Sequence, residues 1–144
     1  MLVTRAPNPA TASVLPSRTT CAPIDTQVRS ISQLSTLQGA SELQELYVAS
    51  NKVQEIAPCI SQLTSLRTLE LGSNRIREIQ HLDTLSNLTD LWLGRNRITQ
   101  LAGLQGLSCL RKISVQSNRL ESMKGLEACT VLEELYLRCG TRQC

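Results

Sequence analysis

Four asparagines, at positions 51, 74, 96 and 118, constrain this chain more than any other feature, because each holds the same place in a repeated string. "LQELYVASNKV" begins at Leu43, "LRTLELGSNRI" at Leu66, "LTDLWLGRNRI" at Leu88 and "LRKISVQSNRL" at Leu110. A fifth copy, "LEELYLRCGTR" from Leu132, keeps the pattern until Gly140, which stands where the next asparagine would fall. Successive asparagines lie 23, 22 and 22 residues apart. Self-similarity at that period marks a solenoid, in which each unit stacks on its neighbours.

The copies follow LxxLxLxxNxL, the leucine-rich repeat pattern, with Val or Ile at some leucine positions and the asparagine lost in the fifth. The alternation in Leu69, Glu70, Leu71 predicts a short half-buried strand whose leucines point inward and whose intervening residue points out. After the strand the chain must turn, and the turn strands backbone donors and acceptors whose burial without partners costs about 1 to 3 kcal/mol each. Asparagine carries an amide donor and a carbonyl acceptor on a short stem, so stacked copies bond the turns of their own and adjacent coils. Between strands runs a second apolar series, Ile76, Ile79, Leu82, Leu85, Leu88 and again Ile98, Leu101, Leu104, Leu107, Leu110. Its period of three predicts an irregular or short-helical return segment, with "LDTLSNL" and "LQGLSCL" as single helical turns. The expected fold is an α/β leucine-rich-repeat solenoid, with a parallel sheet on the concave face and short turns on the convex one.

The repeats extend over residues 25–139, with incomplete first and last units, between an atypical or disordered segment 1–24 and a tail 140–144. Ile31, Leu34, Leu37 and Ala40 fit the return segment of an earlier unit. Its strand is degraded, with Cys21, Ile24 and Thr26 in place of leucines and Arg29 in place of the asparagine. Neither end carries the polar unit that normally caps such an array, so the repeats read as part of a longer one. In "MLVTRAPNPATASVLPSRTTCAP" there are two arginines, four prolines and no acidic residue. That segment reads either as an organelle transit peptide or as a disordered tail, the prolines opposing an amphipathic helix.

The interior has to be aliphatic, since the chain contains no Phe, one Trp and two Tyr. A net charge of +3, from 15 basic and 12 acidic residues that intersperse, gives no electrostatic case for nucleic acid or an anionic membrane. No run of 18 apolar residues is present, so no membrane-spanning helix is expected. The six cysteines form no CxxC pair; Cys59, Cys109 and Cys129 fall within the repeats, whereas Cys21, Cys139 and Cys144 lie towards the ends. They read as reduced, mostly buried thiols of an intracellular protein.

Candidate functional residues come from the outward position of each strand: Tyr47, Glu70, Trp92, Ser114 and Tyr136. All three aromatic residues fall in this one column, where large rings on an exposed sheet are expected hot spots for a partner. The competing reading is that they pack on one another across strands. Two residues earlier a flanking column reads Glu45, Thr68, Asp90, Lys112, Glu134, and its carboxylates predict a partner with some basic character. Asp90 and Glu134, each beside an aromatic, join the candidates. Lys52, Arg75, Arg97 and Arg119 follow the asparagines and read as solvated residues whose stems cover the core. The sole histidine, His81, has no sequence context for catalysis, and the separated cysteines do not read as a zinc site. Asn87 in "NLT" fits a glycosylation sequon, without meaning inside a cell.

The stretch from Leu43 to Leu137, above all the words "LELGSNRI" and "QSNRL" in that order, resembles the central repeats of the protein phosphatase 1 regulatory subunit 7 family. This resemblance implies a nuclear and cytoplasmic, non-catalytic regulator that binds the type-1 serine/threonine phosphatase catalytic subunit along its concave face, through the outward strand residues. It implies no cofactor, nucleic acid, membrane or small-molecule substrate. A 22-residue repeat is shared by axonemal, spliceosomal and tubulin-related proteins, so the alternative is a structural interaction module of an axonemal or other intracellular assembly. A secreted or receptor-type module would require disulfides.

Overall fold

The computed structural model describes residues 19–20 and 42–138 of the chain. Six strands form one sheet in chain order: β1 (Thr19–Thr20), β2 (Leu43–Tyr47), β3 (Thr68–Glu70), β4 (Asp90–Trp92), β5 (Lys112–Ser114) and β6 (Glu134–Tyr136). Every neighbouring pair is parallel. Such an order, without a single crossover, is what a solenoid produces when each coil adds one strand beside the last. β1 pairs Thr19 with Leu43 and Thr20 with Glu45, with an irregularity between them, and lies inside the segment that the repeat pattern leaves out. The degraded strand and return segment read over residues 21–40 lie outside the described residues, as do Cys139, Gly140 and Cys144.

From β2 to β6 the register is unbroken. Leu46, Leu69, Leu91, Ile113 and Leu135 pair in one row, and the first four are fully buried. Behind them the whole convex series from Ile76 to Leu88 and from Ile98 to Leu110 is buried as well, so the core is a column of aliphatic layers, one per coil. Each such side chain withdrawn from water contributes about 1.5 to 3 kcal/mol. The last described coil differs: Leu135 is 39% and Leu137 44% exposed, where their counterparts Leu91 and Leu93 are at 0%.

The asparagines form the expected ladder. Asn74 donates to the carbonyls of Val48 (2.8 Å) in the preceding coil and Leu71 (3.0 Å) in its own, and accepts from the Val53 amide (3.0 Å). Asn96 repeats this with Leu71, Leu93 and Ile76, and Asn118 with Leu93, Val115 and Ile98. The residue before each asparagine, Ser50, Ser73, Arg95 or Ser117, is left-handed with φ between 55° and 59°. Its amide donates to a carbonyl of the next coil, at Gly72, Gly94, Gln116 or Arg138 respectively.

The convex side departs from the expected helical turns. "LDTLSNL" and "LQGLSCL" are successions of separate hydrogen-bonded turns, with the amide of Leu85 donating to the Leu82 carbonyl and that of Leu88 to Leu85 at 3.0 Å, and that of Leu107 to Leu104 at 3.1 Å. Among the described residues the one helix is a 3₁₀ helix, Pro58–Gln62. Carbonyls on this side are taken by side chains of the following coil instead: Thr84 Oγ1 donates to Ser61 and Asn87 Nδ2 to Thr64. Gly106 permits the close stacking, since a Cβ there would fall 1.8 Å from the Asp83 carbonyl oxygen. The cysteines are less uniformly covered than the repeat pattern implied. Cys129 occupies an inward leucine position and is buried, Cys59 packs half-buried on the core, and Cys109 is exposed between inward positions.

Candidate protein-binding face

Strand pairing brings the outward residues together as read. Tyr47 pairs with Glu70, Glu70 with Trp92, Trp92 with Ser114, and Ser114 with Tyr136, one row across five strands. The flanking residues form a second row, Glu45, Thr68, Asp90, Lys112, Glu134. Tyr47, Glu70, Trp92, Asp90 and Glu134 are half-buried, and Tyr136 is 43% exposed. Ser114 belongs to the row but presents almost no surface, at 2% exposure. Its small side chain lies between the flanking positions Trp92 and Tyr136, whose ring centroids are 5.6 Å apart at an interplanar angle of 31°. Ser114 therefore lies beneath the surface of the face, and its neighbours in the row present the exposed area.

The face has two unlike halves. Around Tyr47 stand Glu45, Glu70 and Asp90, and burial together with these carboxylates raises the phenol above its ordinary range. The Tyr47 hydroxyl donates to Glu45 Oε2 at 3.1 Å. Asp90 Oδ2 accepts from Thr89 Oγ1 at 2.6 Å. In the other half Lys112 Nζ contacts Glu134 Oε1 at 2.7 Å, and the Tyr136 hydroxyl donates to Glu134 Oε2. The hydrogen bond to Lys112, then that to Tyr136, holds the Glu134 carboxyl below the usual glutamate range, and Glu134 in turn raises Lys112. One half thus carries clustered negative charge and the other a neutralised pair beside two rings.

Sequence reading found the rows and missed the ties within them. The tripeptide Glu-Leu-Tyr occurs at both ends of the face, at residues 45–47 and 134–136, and in a strand residues two apart share a side. That spacing is the signal for the tyrosine-to-glutamate bonds. None of these residues lines the open polar groove formed by Gln54, Glu55, Arg77, Glu78 and Gln80.

Parallel coils, an asparagine ladder and an aliphatic core define a leucine-rich-repeat solenoid. The family described as "Leucine Rich repeats (2 copies)" matches residues 41–84 and, in a second overlapping match, 64–107. A curated relative bears out the resemblance read from the repeats: the "Protein phosphatase 1 regulatory inhibitor subunit PPP1R7 homolog" of Arabidopsis thaliana is 51% identical over 61 residues. That alignment covers 40% of this chain and 18% of the relative, so the chain matches under a fifth of the relative's length. Among solved structures, the internalin inlF of Listeria monocytogenes superimposes with a TM-score of 0.64 at 32% identity, over 69% of this chain and 29% of that one. Internalin C2 of the same organism gives 0.65 at 28%, over 71% and 45%.

Proposed function

We propose that the chain is a non-catalytic regulatory module that binds the type-1 serine/threonine phosphatase catalytic subunit across its concave sheet, in the nucleus and cytoplasm. The observation that carries this reading is the row Tyr47, Glu70, Trp92, Tyr136, which puts every aromatic residue of the chain on one face beside clustered carboxylates. Rings fixed on a sheet lose little side-chain entropy on binding, and such residues dominate interface energies. The name of the Arabidopsis relative supports the choice of partner. Glu45, Glu70 and Asp90, gathered about Tyr47, favour a partner patch with basic character.

Capture of the purified phosphatase catalytic subunit by the wild-type chain, compared with Trp92→Ala combined with Glu70→Ala, tests this. Removal of one interface hot spot costs about 2 kcal/mol or more, so the double variant should capture at least about thirtyfold less. Equal capture by the two proteins would remove the concave face from the interface. Residence in an axoneme without associated phosphatase would replace the whole reading by that of a structural module.

A further inference from the structure

We infer that Ser114 is a positioning residue: its smallness lets Trp92 and Tyr136 close above it into one aromatic platform, which receives an apolar or planar side chain of the partner. The inference rests on the proposed phosphatase-binding reading and deepens it. Adjacent strands lie about 4.8 Å apart, so residues two strands apart are rooted about 9.6 Å from each other. The rings of Trp92 and Tyr136 nevertheless come within 5.6 Å, so the two side chains lean together across β5. Offset or tilted aromatic pairs at this separation gain about 0.5 to 1.5 kcal/mol beyond the area they bury. Ser114 between them is 2% exposed, which is the mark of a position roofed by its neighbours.

The same sheet contains its own control. Tyr47 and Trp92 are also two strands apart in the same row, and the Tyr47 hydroxyl is anchored to Glu45 as that of Tyr136 is to Glu134. Between them stands Glu70, and among the described residues Trp92–Tyr136 is the one ring pair. The two halves share their strand spacing and tyrosine anchor and differ at the intervening residue, Glu70 or Ser114, and at its flanking neighbour, Thr68 or Lys112. Charge divides along the same line. Lys112 and Glu134 neutralise each other beside the platform, whereas Glu45, Glu70 and Asp90 crowd the Tyr47 end. The partner that fits places an apolar side chain over Trp92 and Tyr136 and basic side chains towards Tyr47, and this polarity fixes its orientation along the sheet.

The test is Ser114→Gln, which gives position 114 the size that the row already accommodates at Glu70, with Ser114→Ala as the small-residue control. Trp92 is the sole tryptophan, so its emission and near-ultraviolet circular dichroism report the platform directly. Ser114→Gln should shift the Trp92 emission to longer wavelength, weaken its circular-dichroism band and lower phosphatase capture about tenfold, in a chain that still unfolds cooperatively and melts lower only by the several degrees that loss of the ring pair implies. Ser114→Ala should match wild type in all of these. An unchanged Trp92 signal in Ser114→Gln overturns the inference, and a changed signal with unchanged capture overturns the landing role of the platform. If Ser114→Gln does not fold, Tyr136→Ala at the exposed rim serves instead: it must shift the Trp92 emission, and failure to do so refutes the ring pair. Should wild type itself not capture the phosphatase, that reading of function fails, while the spectra still decide whether the platform exists.

Discussion

Asn96 spends one short side chain on two coils. Its amide reaches the carbonyls of Leu71 at 2.9 Å and Leu93 at 3.1 Å, and its oxygen accepts the Ile76 amide at 3.0 Å. Asn96→Ala leaves buried backbone groups without partners, so it should destabilise the chain by about 1 to 3 kcal/mol in urea unfolding. Asn96→Asp should do at least as much harm at neutral pH, because a carboxylate keeps the acceptor but turns a second oxygen on two carbonyls. A loss below about 0.5 kcal/mol for both would show that the ladder contributes little beyond packing. The role of this residue was legible in the sequence, because among the short side chains an amide offers two donor hydrogens together with an acceptor, where a hydroxyl has a single hydrogen to give. The cover over Ser114 was not. Alternation fixes the side of a sheet on which a residue lies, whereas its exposure depends on how far the rings on either flank lean.

The strands were readable from the Leu-x-Leu alternation, and their register from the spacing of the asparagines. The return segments were only half readable. A leucine every third residue serves a 3₁₀ helix and a succession of separate turns equally well, and in "LDTLSNL" Thr84 and Asn87 tie those turns to the neighbouring coil. These bond to carbonyls of the preceding coil, a pairing between units that no local pattern displays. Between β5 and β6 the Lys112–Glu134 contact is a tie that depends on pH. Glu134 has its folded-state value depressed below 4.5, so the tie contributes above the unfolded value and is lost as pH falls through the lower, folded one. A carboxyl NMR titration should place the Glu134 midpoint below 4.5, and Lys112→Ala should raise it; coincident curves would mean the contact does not persist in solution. Since both side chains are over a third exposed, high salt should weaken the tie too.

As a whole the molecule is nearly one-dimensional, each coil resting on the coils beside it, so the same leucine has a different weight at different places along the stack. Leu93, fully buried between coils, should cost about 2 to 5 kcal/mol when replaced by alanine. Leu137 holds the same repeat position at 44% exposure and should cost less than about 1 kcal/mol. Parallel denaturant melts compare the two directly, and equal losses would mean that Leu137 is covered in solution. Hydrogen exchange should follow the same gradient, slowest in β3 and β4. One coil also differs in length. The interval from Asn51 to Asn74 is a residue longer than the two that follow, and it holds the 3₁₀ helix Pro58–Gln62. The surplus residue is absorbed at the rear, while Leu46, Leu69 and Leu91 stay abreast. The rear of this coil thus carries an inserted residue without sliding any side chain on the front, and recognition there is insulated from a change of loop length.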